Sequence, residues 1–197
     1  MLGIFFTLFQ LIWAYLWASK HIAIRRRRRY AEGRIQGDKN KSYKALSFVA
    51  YGVQNFICIA SFWSEASFLL KIHDNNLWRL VGAALIAAST YLYFTALKYL
   101  GENYSPCYDS YIPRVLVKDG PYHWIRHPMY LAKIILSFGT LLISGSLLFM
   151  PIVAWVAVEV ARSIAKEERY LSRAMPGYAD YQTNSKLLVL VIRHLAG

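Results

Sequence analysis

The apolar residues of this chain come in long blocks rather than at a helical or strand period, and this limits the fold more than any other feature. Leu2–Ser19, Ala45–Ser64, Leu80–Leu97 and Ile134–Val158 run for 18, 20, 18 and 25 residues without an Asp, Glu, Lys or Arg. Uncharged runs of about 18 residues or more are long enough to cross a bilayer as helices, which satisfy their own backbone polar groups. A soluble core in a chain of 197 residues would show amphipathic stripes instead. With 56% of its residues hydrophobic and 17% charged, the chain reads as an integral, multi-pass membrane protein.

The charges lie between the blocks and set the orientation. Lys20–Lys44 carries ten Lys/Arg, five of them consecutive at Arg25–Arg29, against Glu32 and Asp38. Such loops stay cytoplasmic. Glu65–Arg79 balances two basic residues with two acidic ones and is expected outside, whereas Lys98–Lys133 has five basic residues and is expected inside. The net charge of +12 sits beside apolar spans, so topology and membrane lipids account for it, and no nucleic-acid partner is expected. Positive charge follows the first apolar run instead of preceding it, the reverse of a cleavable signal, so that span is expected to be retained. The two cysteines, Cys58 and Cys107, form no C-x-x-C pair, which argues against a disulfide framework or a thiolate metal site.

The last apolar run decides the parity. Crossing once, it would leave Arg162, Lys166, Arg169, Arg173, Lys186 and Arg193 outside, against the positive-inside rule. Ser144-Gly145-Ser146 interrupts the run with turn residues, and Pro151 follows near a helix start, where proline is tolerated. The expectation is a helical hairpin. The whole is then a single all-α domain over residues 1–197, with five transmembrane helices at about 2–24, 45–68, 77–99, 129–143 and 147–168. A cofactor loop at 100–128 and a C-terminal cap at 169–197 lie on the cytoplasmic side, with the N-terminus outside. The first arm of the hairpin spans only about 22 Å, short of the roughly 30 Å hydrocarbon core.

Only the hairpin brings two polar segments to one side. Gly120-Pro-Tyr-His-Trp-Ile-Arg-His-Pro-Met-Tyr130 packs an Arg, two His and two Tyr ahead of an apolar helix. Polar groups at that depth are costly to keep without a use, although an interfacial belt also uses Tyr, Trp, Arg and His. Pro128 fixes His127 at the lip of the helix. Glu167-Glu168 sits on the extension of the last helix. Neighbours on a helix lie about 100° apart, so one carboxylate is expected to face the cap and the other water.

Val117–Tyr130, followed about forty residues later by Glu167-Glu168-Arg-Tyr-Leu171, resembles the isoprenylcysteine carboxyl methyltransferase family and its small bacterial relatives. Leu100–Ser105 resembles the stretch leading into that family's cofactor loop, and Pro176-Gly177-Tyr178 with Tyr181 resembles its tail. The likeness covers roughly residues 97–182. It implies a membrane methyltransferase using S-adenosyl-L-methionine. Arg114, Val115, Leu116, Val117, Gly120, Tyr122, Arg126, His127, Pro128, Met129 and Tyr130 would line the cofactor site. Glu167 would hold the cofactor's ammonium group. The family also has an Arg four residues before that Glu, facing the acceptor. Ser163 stands there in this chain, with Arg162 one position off, and the upstream Gln of the animal enzymes is replaced near Cys107. The catalytic candidates are thus Arg162 and Glu168.

Methyl transfer from a sulfonium is an in-line displacement, so the protein's main tasks are alignment and exclusion of water. Tyr122 and Tyr130 offer π faces to a sulfonium or an adenine. A carboxylate acceptor needs no base, while an amine or phenol needs one, with Glu168 or His127 nearest. No metal-ligand spacing such as H-x-x-x-H occurs. The expected substrate is a lipophilic small molecule or lipid-linked group entering from the bilayer, such as a prenyl-cysteine-like carboxylate. Two other readings remain open at this level. One is an NADPH-dependent membrane reductase of sterol-reductase-like layout, and the other is a non-catalytic lipid-binding membrane protein.

Overall fold

The computed structural model describes residues 70–104, 113 and 115–185, and, nearer the N-terminus, residues 4, 7–9, 11, 12, 14–16, 18, 19, 49, 52–57, 59 and 60. Among the described residues the structure is helical, without strands apart from one isolated bridge between Lys71 and Ser146. Helix α1 (Asn76–Leu100) starts where the Asn75 side chain accepts the Leu77 amide at 2.8 Å, an N-cap that satisfies one orphan donor. It stops at Gly101, whose φ of 52° no continuing helix allows. A single turn, α2 (Pro121–Trp124), precedes α3 (Pro128–Ser144). Both begin on a proline, the residue whose missing N–H costs nothing at a first helical position. A 3₁₀ turn at Leu147–Phe149 leads into α4 (Met150–Ala174), and α5 (Tyr178–Asn184) closes the described chain.

Helices α3 and α4 form an antiparallel hairpin. Its hinge is Gly145, in the left-handed region at φ 58° and ψ 19°, with its amide bonded to the Leu141 carbonyl at 2.9 Å. A Cβ at this position would stand 2.4 Å from the His73 carbonyl oxygen, so glycine is needed for space as well as for conformation. The turn is stitched to the segment ahead of α1: the Ile72 amide donates to the Gly145 carbonyl at 2.7 Å and the Leu147 amide to the Leu70 carbonyl at 3.0 Å.

Helix α3 also lies antiparallel on α1. Gly82 and Gly139 meet backbone to backbone, and a Cβ on Gly82 would come within 2.6 Å of the Gly139 carbonyl oxygen. Farther along the pair, the Ser89 hydroxyl donates to the Ala132 carbonyl at 2.7 Å. Small residues at such a crossing let helices approach where lipid gives no hydrophobic drive. The helical residues near the N-terminus pack on this pair: Phe9 against Ile86, Leu136 and Ile143, and Ile57 against Leu141 and Phe149. The Gln54 amide donates to the Thr140 hydroxyl at 3.1 Å, so both buried polar groups are satisfied.

Two described helices, Asn76–Leu100 and Leu147–Ala174, are long and apolar enough to cross a membrane, and Pro128–Ser144 is a shorter apolar helix of 17 residues. Their outward faces carry Leu77, Leu80, Tyr91, Phe138 and Val158, all exposed as suits contact with lipid. The spans expected at 2–24 and 45–68 fall largely outside the described residues. Helix α4 runs beyond the expected end at 168 and stops only at the turn Met175–Gly177, where Gly177 takes φ 74°. Glu167 and Glu168 therefore stand on a continuous helix rather than at a frayed end.

Candidate functional site

The polar segment ahead of α3 is held by local geometry. Gly120 takes φ 59°, and a Cβ there would lie 2.5 Å from the Tyr99 ring, so the loop rests directly on the end of α1. Helix α2 ends after one turn at Ile125, which is extended. His127 is held out of the helical region at φ −127° and ψ 60° by Pro128. These turns bury Arg126, His127, Pro128 and Tyr130 while α3 begins.

The hairpin then brings α4 back to the same place. His127 Nε2 lies 2.6 Å from Glu168 Oε1, and its Nδ1 lies 3.6 Å from Glu167 Oε2. The first is a hydrogen bond and the second only an ion-pair contact. The imidazole thus stands between two adjacent carboxylates and addresses each with a different nitrogen. Glu168 is engaged from every side. It also accepts from Arg126 Nη1 at 3.0 Å, from the Tyr178 hydroxyl at 2.9 Å and from the Gln182 amide. A carboxylate offers about four lone-pair positions, and all four are occupied here. Glu167 accepts from the Tyr130 hydroxyl at 2.7 Å, and 41% of its side-chain surface remains open, against 21% for Glu168. Below this cluster Tyr130 packs on Val160 and Ile164, the two buried residues of α4. The short α5 closes the other side, where the Tyr181 hydroxyl donates to the Tyr122 carbonyl at 2.5 Å.

The charges are arranged in opposed pairs. Burial disfavours the charged form of His127, but the contacts with Glu167 and Glu168 outweigh it and raise its proton affinity above that of an ordinary imidazole. As a cation, His127 donates from Nε2 to Glu168 and turns its charged Nδ1–H toward Glu167. Burial first, and then Glu168, raise Tyr178; burial raises Tyr122, with Glu167 adding to it. Tyr181 is pushed up to about 12, mainly by burial. These phenols therefore stay neutral donors at physiological pH and do not act as bases.

The residues expected from the sequence distribute unevenly. Tyr122, Arg126, His127, Pro128, Tyr130, Glu167 and Glu168 converge on this cluster or border it. Gly120 shapes the loop, and Met129 packs against Tyr93, Leu97 and Ala132 on the α1 side. Val115 is exposed, its amide reaching Asn103 Oδ1 at 3.3 Å, and Leu116 and Val117 are half-buried. Arg114 lies outside the described residues. Arg162 is not in the cluster: its side chain is 74% exposed and pairs with Glu159 at 3.3 Å. Five residues before Glu167, it points about 140° away around the helix. Tyr178 and Gln182 were not expected as site residues. The signal available for them was their i, i+4 spacing just after Pro176-Gly177, which puts both on one face of a short helix.

Residues 77–176 match the family model described as phospholipid methyltransferase. Among solved structures, the eukaryotic intramembrane Ras methyltransferase, isoprenylcysteine carboxyl methyltransferase, aligns at 24% identity with a TM-score of 0.48, over 77% of this chain and 52% of that one. The chain thus spans about half the length of that enzyme. No curated protein sequence matches it. The family match spans just over half of the chain and contains α1, the hinge, both glutamates and the His127 segment, and on it the protein belongs to the phospholipid methyltransferase family of membrane methyltransferases.

Proposed function

We propose that the protein transfers a methyl group from S-adenosyl-L-methionine to a lipophilic acceptor that reaches the site from the bilayer. The observation that carries this is the difference between the two glutamates. Glu168 is saturated by four partners, whereas Glu167 is anchored by Tyr130 and His127 and keeps an open face. Open carboxylates beside buried cations suit a zwitterionic ligand. Glu167 would take its ammonium group. Arg126 Nε, buried without a partner among the described residues, is a donor left over for its carboxylate. The residues present therefore fit the amino-acid portion of the cofactor, and the cofactor, when bound, supplies an activated methyl group. Val115, Leu116 and Val117 would extend the wall in this reading.

Glu168 is then better suited to holding Arg126 and His127 in place than to accepting a proton, since every lone pair is engaged. A carboxylate acceptor fits such a site without a base. The family's name points instead to a phospholipid acceptor, whose amine would reach the site already deprotonated or lose its proton to water. The family match is to methyltransferases, which leaves the reductase reading without a supporting observation. The site lies at the cytoplasmic end of five spans in this proposal, with the N-terminus outside.

Isothermal titration of the purified protein in detergent tests the assignment. Loss of a hydrogen bond to a charged group is worth about 1.5–3 kcal/mol, so Glu167→Gln should weaken S-adenosyl-L-methionine binding by roughly 10- to 150-fold. Unchanged affinity in Glu167→Gln would remove Glu167 from the cofactor site.

A further inference from the structure

One face of α4 takes no part in the site described above. Arg162, Lys166, Arg169 and Arg173 recur at steps of four, three and four, which stacks them along one side of the helix over about 16 Å. All four are exposed, and Tyr170 lies among them. Lys166, Arg169, Tyr170 and Arg173 line a shallow recess of about 470 Å³. Arg169 donates its Nε to the Ala165 carbonyl at 3.2 Å, which leaves its terminal nitrogens for a ligand. Among the described residues, Lys166 and Arg173 have no acidic partner.

Depth gives this face its meaning. Lys166 comes nineteen residues after Leu147, where the apolar helical stretch begins. At 1.5 Å per residue that is about 28 Å, close to the roughly 30 Å of hydrocarbon. Lys166 thus reaches the boundary, and Arg169 and Arg173 stand about 4 and 10 Å beyond it, in the headgroup layer. Arg162, about 6 Å below, is long enough to snorkel up to it. Two segments of the chain lack the charge to complement the recess. Residues 20–48 carry ten Lys/Arg against two acids, and 186–197 carry Lys186 and Arg193 with no acid at all. Basic segments of this kind offer no complementary charge to a cationic recess, whereas a lipid anion does.

We infer that Lys166, Arg169, Tyr170 and Arg173 form a binding site for the headgroup of an anionic phospholipid, separate from the Glu167–His127 cluster. Two guanidinium forks suit phosphate oxygens in bidentate fashion, Lys166 adds a compact charge, and Tyr170 offers an amphipathic ring at headgroup depth. The inference rests on α4 crossing the membrane and not on the identity of the methyl donor.

Native mass spectrometry of protein released from nanodiscs of phosphatidylcholine mixed with phosphatidylglycerol tests it. The wild type should retain phosphatidylglycerol in preference to phosphatidylcholine. Each basic residue near an anionic surface contributes roughly fivefold, so the combined Lys166→Gln, Arg169→Gln, Arg173→Gln variant should lose on the order of a hundredfold of that preference. A charge-conserving variant, Lys166→Arg with Arg169→Lys and Arg173→Lys, should keep most of it and controls for folding. Titration with S-adenosyl-L-methionine should give the same affinity in all three proteins. Equal retention of the two lipids by the wild type, or an undiminished preference in the neutralised variant, would overturn the inference. Loss of cofactor binding in the neutralised variant alone would also overturn it, by merging this face with the methyltransfer site.

Discussion

At the scale of single residues, the cluster depends on donors that a carboxylate cannot replace by water once buried. Tyr178→Phe removes one hydrogen bond to the charged Glu168 and should cost about 1.5–3 kcal/mol, read as a lower midpoint in thermal unfolding in detergent. His127 gives the cluster a pH dependence. It binds its proton more tightly in the folded protein than in the unfolded chain, so protonation favours folding. The contribution is complete below the unfolded value of about 6.5 and fades as pH rises through the higher folded value. The unfolding midpoint should therefore fall on going from neutral to mildly alkaline pH, and a pH series on His127→Gln should lose that slope. An equal slope in the variant would assign the effect to another group. The residue types of this cluster were legible in the sequence, because Arg126-His127-Pro128 and Glu167-Glu168 are conspicuous at the edges of apolar helices. Their division of labour was not. Which glutamate is saturated depends on Tyr178 and Gln182, which arrive from another helix.

At the scale of elements, glycine governs how close the helices come. The crossing of α1 and α3 has no room for a methyl group at Gly82, where the Gly139 carbonyl and the Ile143 amide and side chain all stand within 3 Å of an added Cβ. Gly82→Ala should force the pair apart at a cost of roughly 1–3 kcal/mol, seen as a reduced unfolding midpoint in detergent. Gly145→Ala should be at least as damaging, since its left-handed backbone and its contact with His73 both exclude a Cβ. An unchanged midpoint in both variants would argue against these contacts. Hinge position was readable from Ser144-Gly145-Ser146, because small turn residues inside an apolar run have few other uses. The extension of α4 to Ala174 was not, since a charged helix end reads like the start of a loop.

At the scale of the whole molecule, orientation is testable with one thiol. Cys107 belongs to the loop expected on the cytoplasmic side. In a Cys58→Ala background, a membrane-impermeant maleimide should label Cys107 in inverted vesicles and not in intact cells. Labelling from the outside would reverse the topology and detach the site from the cytoplasm. The sequence by itself determined that the chain lives in a membrane, that its last apolar run folds back, and that the His127 and Glu167 segments share a side. Those conclusions follow from hydropathy, turn residues and charge balance, which act locally or through the solvent. Only the tertiary structure decided that Glu168 is a four-partner anchor, that Arg162 points away, and that α4 presents a basic recess. These depend on helix rotation and on the approach of α5. Rotation is set by how Gly82, Gly139 and Tyr130 pack, and no local pattern in the sequence encodes it.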